Sequence, residues 1–140
     1  MGLLKIEEGF TYLLANNPGV LGHVGDRISP PPLPQTPTLP ALTYQLITPM
    51  SIVAHDGMCG TAMCRYQITG FHTDYAVLVD LMEHVRICMT GYKGTITSGA
   101  DSIVVQAMLP AGGSPDMYDP IIKRHKRALD FMIWYNEPIT

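Results

Sequence analysis

The run Arg127-Ala128-Leu129-Asp130-Phe131-Met132-Ile133-Trp134-Tyr135 decides how this chain is read. It is dense in aromatic and large apolar residues, follows the basic run Lys123 to Arg127, and stops at Asn136-Glu137-Pro138. Such a composition predicts a strand, and a strand of this kind is tied firmly into a sheet. Upstream of it, Ile103, Val104, Val105, Ala107 and Met108 predict another strand, broken at Pro110-Ala111-Gly112-Gly113, so that the final strand begins near Ile122. Before that pair lies a helix, capped by Thr73 or Asp74 and running to about Met89. Its apolar stripe is Leu78, Leu81, Met82, Val85, Cys88 and Met89, with Asp80, Glu83 and Arg86 off the stripe, and Gly91 ends it.

Two alternating segments precede the helix. From Met63 to Phe71, Cys64, Tyr66 and Ile68 face one way and Arg65, Gln67 and Thr69 the other. From Ala41 to Thr48, Leu42, Tyr44 and Leu46 oppose Thr43 and Gln45, and Pro49 ends the run. Ser51 to Thr61, with His55-Asp56-Gly57, reads as the hairpin-like connection between them. At the start, Leu3, Ile6, Phe10, Leu13 and Leu14 recur at helical spacing up to about Asn16, and Pro18-Gly19 ends that helix. The reach from Pro30 to Pro40 holds six of the twelve prolines, so it is neither helix nor interior strand. It is either an extended, semi-rigid arm or an ordinary loop before a strand.

Helix, strand, strand, helix, strand, strand is an α+β layout in a single domain over residues 1–140. The expectation is a single four-stranded, mainly antiparallel sheet, with the N-terminal helix and a second helix packed on one face and a long Pro-rich loop. The other face is then solvated or covered by a partner, and two sheet edges need pairing or protection.

Composition narrows the function. Hydrophobic residues make up 46% and charged residues only 15%, which excludes a disordered chain and leaves much neutral or apolar surface. A subunit covered by neighbours and a somewhat sticky monomer both fit. A net charge of −3 supplies no overall cationic field for DNA. Four of the nine basic residues nevertheless lie within Lys123 to Arg127, as a patch for an anionic partner or as the solvated start of a strand. The three cysteines, the lack of a signal-peptide layout after Met1 and the lack of a long apolar run point to a reduced compartment and no membrane span.

Catalytic chemistry is not legible. Cys59 and Cys64 are separated by four residues, not by the two of a metal clamp, and Cys64 and Cys88 fall on apolar faces. Within a hairpin Cys59 and Cys64 also admit a redox pair. Gly91-Tyr92-Lys93-Gly94-Thr95 lacks the context of a phosphate loop. No enzyme, cofactor or metal is expected. Phe131, Trp134 and Tyr135 stack on bases if the strand is a nucleic-acid platform, and serve as core and interface anchors otherwise.

The order Leu13-Leu14-Ala15-Asn16-Asn17-Pro18-Gly19-Val20-Leu21, then Gly25-Asp26-Arg27-Ile28, a Pro-rich loop, Pro40-Ala41-Leu42-Thr43-Tyr44-Gln45, Arg65-Tyr66-Gln67-Ile68, the helix Asp74 to Met89 and the closing Asp130 to Tyr135 resembles the tail-completion, or tail-terminator, proteins of long-tailed phages. The resemblance covers nearly the whole chain, and its motifs are structural punctuation and core. It implies a virion structural protein that forms a ring, usually of six copies, at the head-proximal end of the tail tube. Such a ring ends tube growth and joins tail to head. Its partners are then itself, the tail tube protein and the head–tail connector or neck protein, with transient contact with passing DNA, in the virion and in the host cytoplasm during assembly. Pro31, Pro32, Leu33, Pro34, Met50, Ile52, His55 and Met58 are the expected interface residues, and Lys123, Arg124, Lys126 and Arg127 the expected lumen- or DNA-facing ones. A head-side neck adaptor, or a small nucleic-acid-binding α+β module, is the alternative.

Overall fold

The computed structural model describes residues 2–3, 5–25, 27–33, 38–52, 59–98 and 101–138. Among the described residues there are strands β1 (Gly2–Leu3), β2 (Ile28–Ser29), β3 (Ala41–Ile52), β4 (Cys59–His72), β5 (Gly94–Ser98), β6 (Asp101–Asp119) and β7 (Arg124–Pro138). The helices are α1 (Ile6–Ala15), α2 (Pro18–Val24) and α3 (Tyr75–Met89). All the strands join one seven-stranded sheet in the order β1-β6-β7-β4-β3-β2, with β5 also paired to β6. The long neighbours β3–β4, β4–β7 and β6–β7 are antiparallel, whereas the two-residue strands β1 and β2 pair in parallel.

The expected four-stranded sheet is thereby overturned. Its four strands are the long ones, β3, β4, β6 and β7, and three short strands extend it. β1 and β2 are too short to show an alternation, and β5 buries a single apolar residue, Ile96, between exposed Thr95 and Thr97, so periodicity had little to register. The expected strand ends at Pro49 and Pro110 also fail, because β3 runs on to Ile52 and β6 to Asp119. Proline is tolerated where the missing N–H points away from a ladder. Among the described residues, β3 beyond Thr43 pairs only with β4, and β6 beyond Val105 pairs only with β7. Both prolines therefore sit on a free edge.

The first helix does end before Pro18-Gly19, at Ala15, but a second, unexpected helix follows directly. Pro18-Gly19 opens α2: the Asn17 side chain accepts from the backbone N–H of Gly19 (3.0 Å) and Val20 (3.2 Å), with Pro18 at the first helical position. The parallel pairing Ile28↔Leu42 and Ser29↔Thr43 explains the proline segment. Parallel neighbours need a crossover, and residues 30–40 supply it. Arg27 clamps its far end, donating through Nε to the carbonyl of Pro40 at 3.0 Å and through a terminal nitrogen to the carbonyl of His23, also at 3.0 Å.

The helices lie on one face of the sheet and share one core with it. Phe10 and Leu14 of α1, Val20 and Val24 of α2, and Leu78, Leu81, Met82, Val85 and Met89 of α3 meet Leu42, Ile68, Val105, Phe131 and Ile133. Phe10 packs edge-on to Tyr44 and tilted on Tyr66. At Gly70 side chains of α3 pack directly on β4: a Cβ there would lie 2.5 Å from Met82 Sδ and 2.9 Å from Leu78 Cδ1.

Candidate assembly surface

β6 and β7 form a hairpin much longer than the core needs. Its turn, residues 120–123, closes between Asp119 and Arg124, with Lys123 in the left-handed region at φ 52. Residues 112–123 are all exposed. Apolar chains stand in the open here: Ile121 is 90% exposed, Met117 59% and Ile122 51%. An exposed apolar cluster at the end of an ordered arm is an interaction surface in the making.

The arm is held to the body by a clasp at the start of α3. Arg127 donates through Nε to Asp116 Oδ1 at 2.9 Å and through a terminal nitrogen to Asp116 Oδ2 at 2.7 Å. The Tyr75 hydroxyl donates to Asp116 Oδ2 at 3.0 Å and accepts from Arg127 at 3.1 Å, and the guanidinium lies 5.7 Å from the Tyr75 ring centre. The His125 ring sits against both Tyr75 and Tyr118. Hydrogen bonds from Arg127 and then Tyr75 hold the Asp116 carboxyl below its ordinary range. Beside the clasp, Phe71, Met117, Tyr118, Ile122 and Lys126 line a half-open cavity of about 420 Å³.

The sheet face opposite the helices carries a second feature. Asp130, only 5% exposed, accepts from Arg65 Nε at 2.8 Å and from Gln67 at 3.0 Å. Arg65 also donates to the carbonyl of Ala111 at 2.9 Å, and Gln67 to the Ser114 hydroxyl at 3.3 Å. The network ties β4 and β7 to β6 where the β6–β7 register slips between Pro110 and Gly113. Next to it, Met63, Met132 and Trp134 alternate onto the same face, half-buried, with Leu109 47% exposed. No helix among the described residues covers this face.

The residues singled out in the sequence are distributed unevenly. Pro31 and Pro32 are exposed and Leu33 half-buried, in the β2–β3 crossover, while Pro34 lies outside the described residues. Met50 and Ile52 belong to the backbone of β3, paired with Met63 and Thr61, while His55 and Met58 lie outside the described residues. Lys123, Arg124, Lys126 and Arg127 come together at the hairpin turn, but not as equals. Arg127 is committed to Asp116, whereas among the described residues Lys123 and Lys126 form no ion pair. Reading the sequence missed Tyr75 and Asp116 altogether. The signal was weak: only the fold brings Tyr75 to a residue 41 positions away.

Two chemical possibilities fall away. Cys59 and Cys64 lie on one strand with unbroken pairing to β7, so their α-carbons are about 16 Å apart, far beyond disulfide reach. Burial, then the charge of Glu7, pushes the Cys64 thiol up to about 12, which keeps it protonated. The aromatic stacking platform is not assembled either: Phe131 is fully buried on the helix side, and Trp134 alternates to the other face.

No protein-family model matches the chain, and no curated protein matches it in sequence. Eight chains of solved structures match it in fold. One is a chain of the virion of the native gene transfer agent (GTA) particle, at a TM-score of 0.70 and 10% sequence identity, covering 91% of this chain and 92% of that one. At that identity the likeness establishes a common fold.

Proposed function

We propose that this chain is a structural subunit of a phage or phage-like virion, acting at the head-proximal end of the tail. One observation carries the reading: a chain of the gene transfer agent particle shares the fold over nearly the full length of both chains. The surface is consistent with a subunit that works among neighbours. Among the described residues it has a sheet face that no helix covers, strand edges of β3 and β6 without a second partner, and a hairpin ending in exposed Met117, Ile121 and Ile122. Unpaired edges and apolar projections are costly on a free monomer and useful in an assembly.

Within that role we assign the chain to tail termination, as a ring of copies that stops tube growth and docks onto the neck. The β6–β7 arm and the crossover containing Pro31 and Pro32 contact tube and neck, and Lys123 and Lys126 face the passing DNA. Its mechanism is interface formation, without a chemical step. Electron microscopy of lysates from a phage lacking this gene tests the assignment. Overlong or unfinished tails beside filled, tailless heads are the expected result. Tails of normal length that fail to join heads instead make it a head-side adaptor, and normal virions refute both readings. Replacing Pro31, Pro32 and Leu33 by Ser, which keeps the length of the crossover, should impair joining while the subunit stays folded, as read by circular dichroism.

A further inference from the structure

His23, in the last turn of α2, and Asp80 and His84, one turn apart on α3, converge where the two helices pack. His23 Nε2 lies 2.9 Å from Asp80 Oδ2, and His84 Nε2 lies 3.6 Å from the same oxygen. The three ligand atoms all fall within 4.8 Å of one another. We propose that these side chains form a metal site for one divalent transition ion of the zinc class, with water in the fourth position.

Spacing, rigidity and donor type support this. A tetrahedral ion with ligand bonds of about 2.0–2.2 Å holds its ligand atoms about 3.4 Å apart. The two separations from Asp80 bracket that value, and modest ring rotations close the third. Asp80 and His84 stand at i and i+4 on a helix of 15 residues, hence on one face. His23 is carried by a helix whose start is capped by Asn17. The His84 ring is seated on the α2 backbone itself. A Cβ at Gly19 would lie 2.2 Å from His84 Nδ1, so a larger residue there would push the ring away. Two imidazoles and one carboxylate are the donors that zinc and its neighbours favour, whereas calcium and magnesium prefer all-oxygen sites. His23 and His84 are part-exposed at 22% and 41% and Asp80 at 62%, so an ion can enter without unfolding. Once bound, it staples α2 to α3. This inference is independent of the virion role.

Titration of the purified full chain with Zn²⁺ and Co²⁺ tests it. One equivalent of Zn²⁺ should bind saturably and raise the thermal midpoint, and Co²⁺ should give visible d–d absorption without a thiolate charge-transfer band. His23→Ala, His84→Ala and Asp80→Asn should each weaken binding at least ~10-fold. Gly19→Ala should weaken it by displacing His84, and His125→Ala should leave it unchanged. Circular dichroism of the metal-free variants verifies that they fold, and Asp80→Asn, an isosteric change at an exposed position, serves if a histidine variant does not. Absence of saturable uptake overturns the proposal. So does uptake that survives Asp80→Asn, or a thiolate band that assigns the ion to the cysteines.

Discussion

Arg65 and Asp130 are paired but not interchangeable. Asp130 is buried, whereas the Arg65 side chain is 36% exposed and can turn to water if its partner goes. Removing the arginine leaves a buried carboxylate with Gln67 alone, and removing the charge of the carboxylate leaves a cation that solvent can reach. We expect Arg65→Ala to cost about 3 kcal/mol and Asp130→Asn about 1 kcal/mol of unfolding free energy, read from urea denaturation. Strand alternation could place Asp130 opposite Phe131 but could not reveal its burial, because that depends on Arg65 and Gln67 arriving from β4. Asp116 behaves differently. Its folded pKa is depressed below 3.8, so its contribution to stability is present above the unfolded value and is lost as pH falls through the folded one. Hydrogen exchange along the arm, normalised for intrinsic rates, should therefore rise as pH drops below about 4, and in Asp116→Asn it should already be raised at pH 7.

Among the elements, α3 was the most legible. Its cap, its length and its apolar stripe all follow from the sequence, and Asp74 does accept from the backbone N–H of Ala76 and Val77. The long strands were legible in position but not in extent, since proline reads as a terminator and the edges that excuse it are a property of the sheet. Helix α2 was hidden because Pro18 both ends one helix and begins the next. Gly70 tests how α3 sits on the sheet. Gly70→Val should cost about 1–3 kcal/mol by forcing Met82 and Leu78 off β4, whereas Gly22→Ala, which meets nothing within 4 Å, should be neutral or slightly stabilising. Thermal unfolding of the two variants separates a packing effect from a general intolerance of glycine loss.

For the whole molecule, the sequence offered a functional expectation only through the resemblance, because no spaced catalytic motif is present to read. The basic run was visible in the sequence; the arm that carries it was not, since Pro110-Ala111-Gly112-Gly113 reads as a break. Replacing Met117, Ile121 and Ile122 together by Ser should leave the stability of the subunit within about 1 kcal/mol of wild type in urea denaturation and, on the proposed virion role, impair its incorporation into particles, as scored by complementation. The sheet order has a further consequence. β7, the last described strand to leave the ribosome, fills the slot between β6 and β4, the two strands with which it shares the most extensive pairing. Until it is synthesised, β4 keeps one flank open and β6 has no long partner. The nascent chain is then held back from a finished form, and a prematurely terminated product lacks the strand that joins its halves. Such a product is open to proteolysis and does not compete with the intact fold.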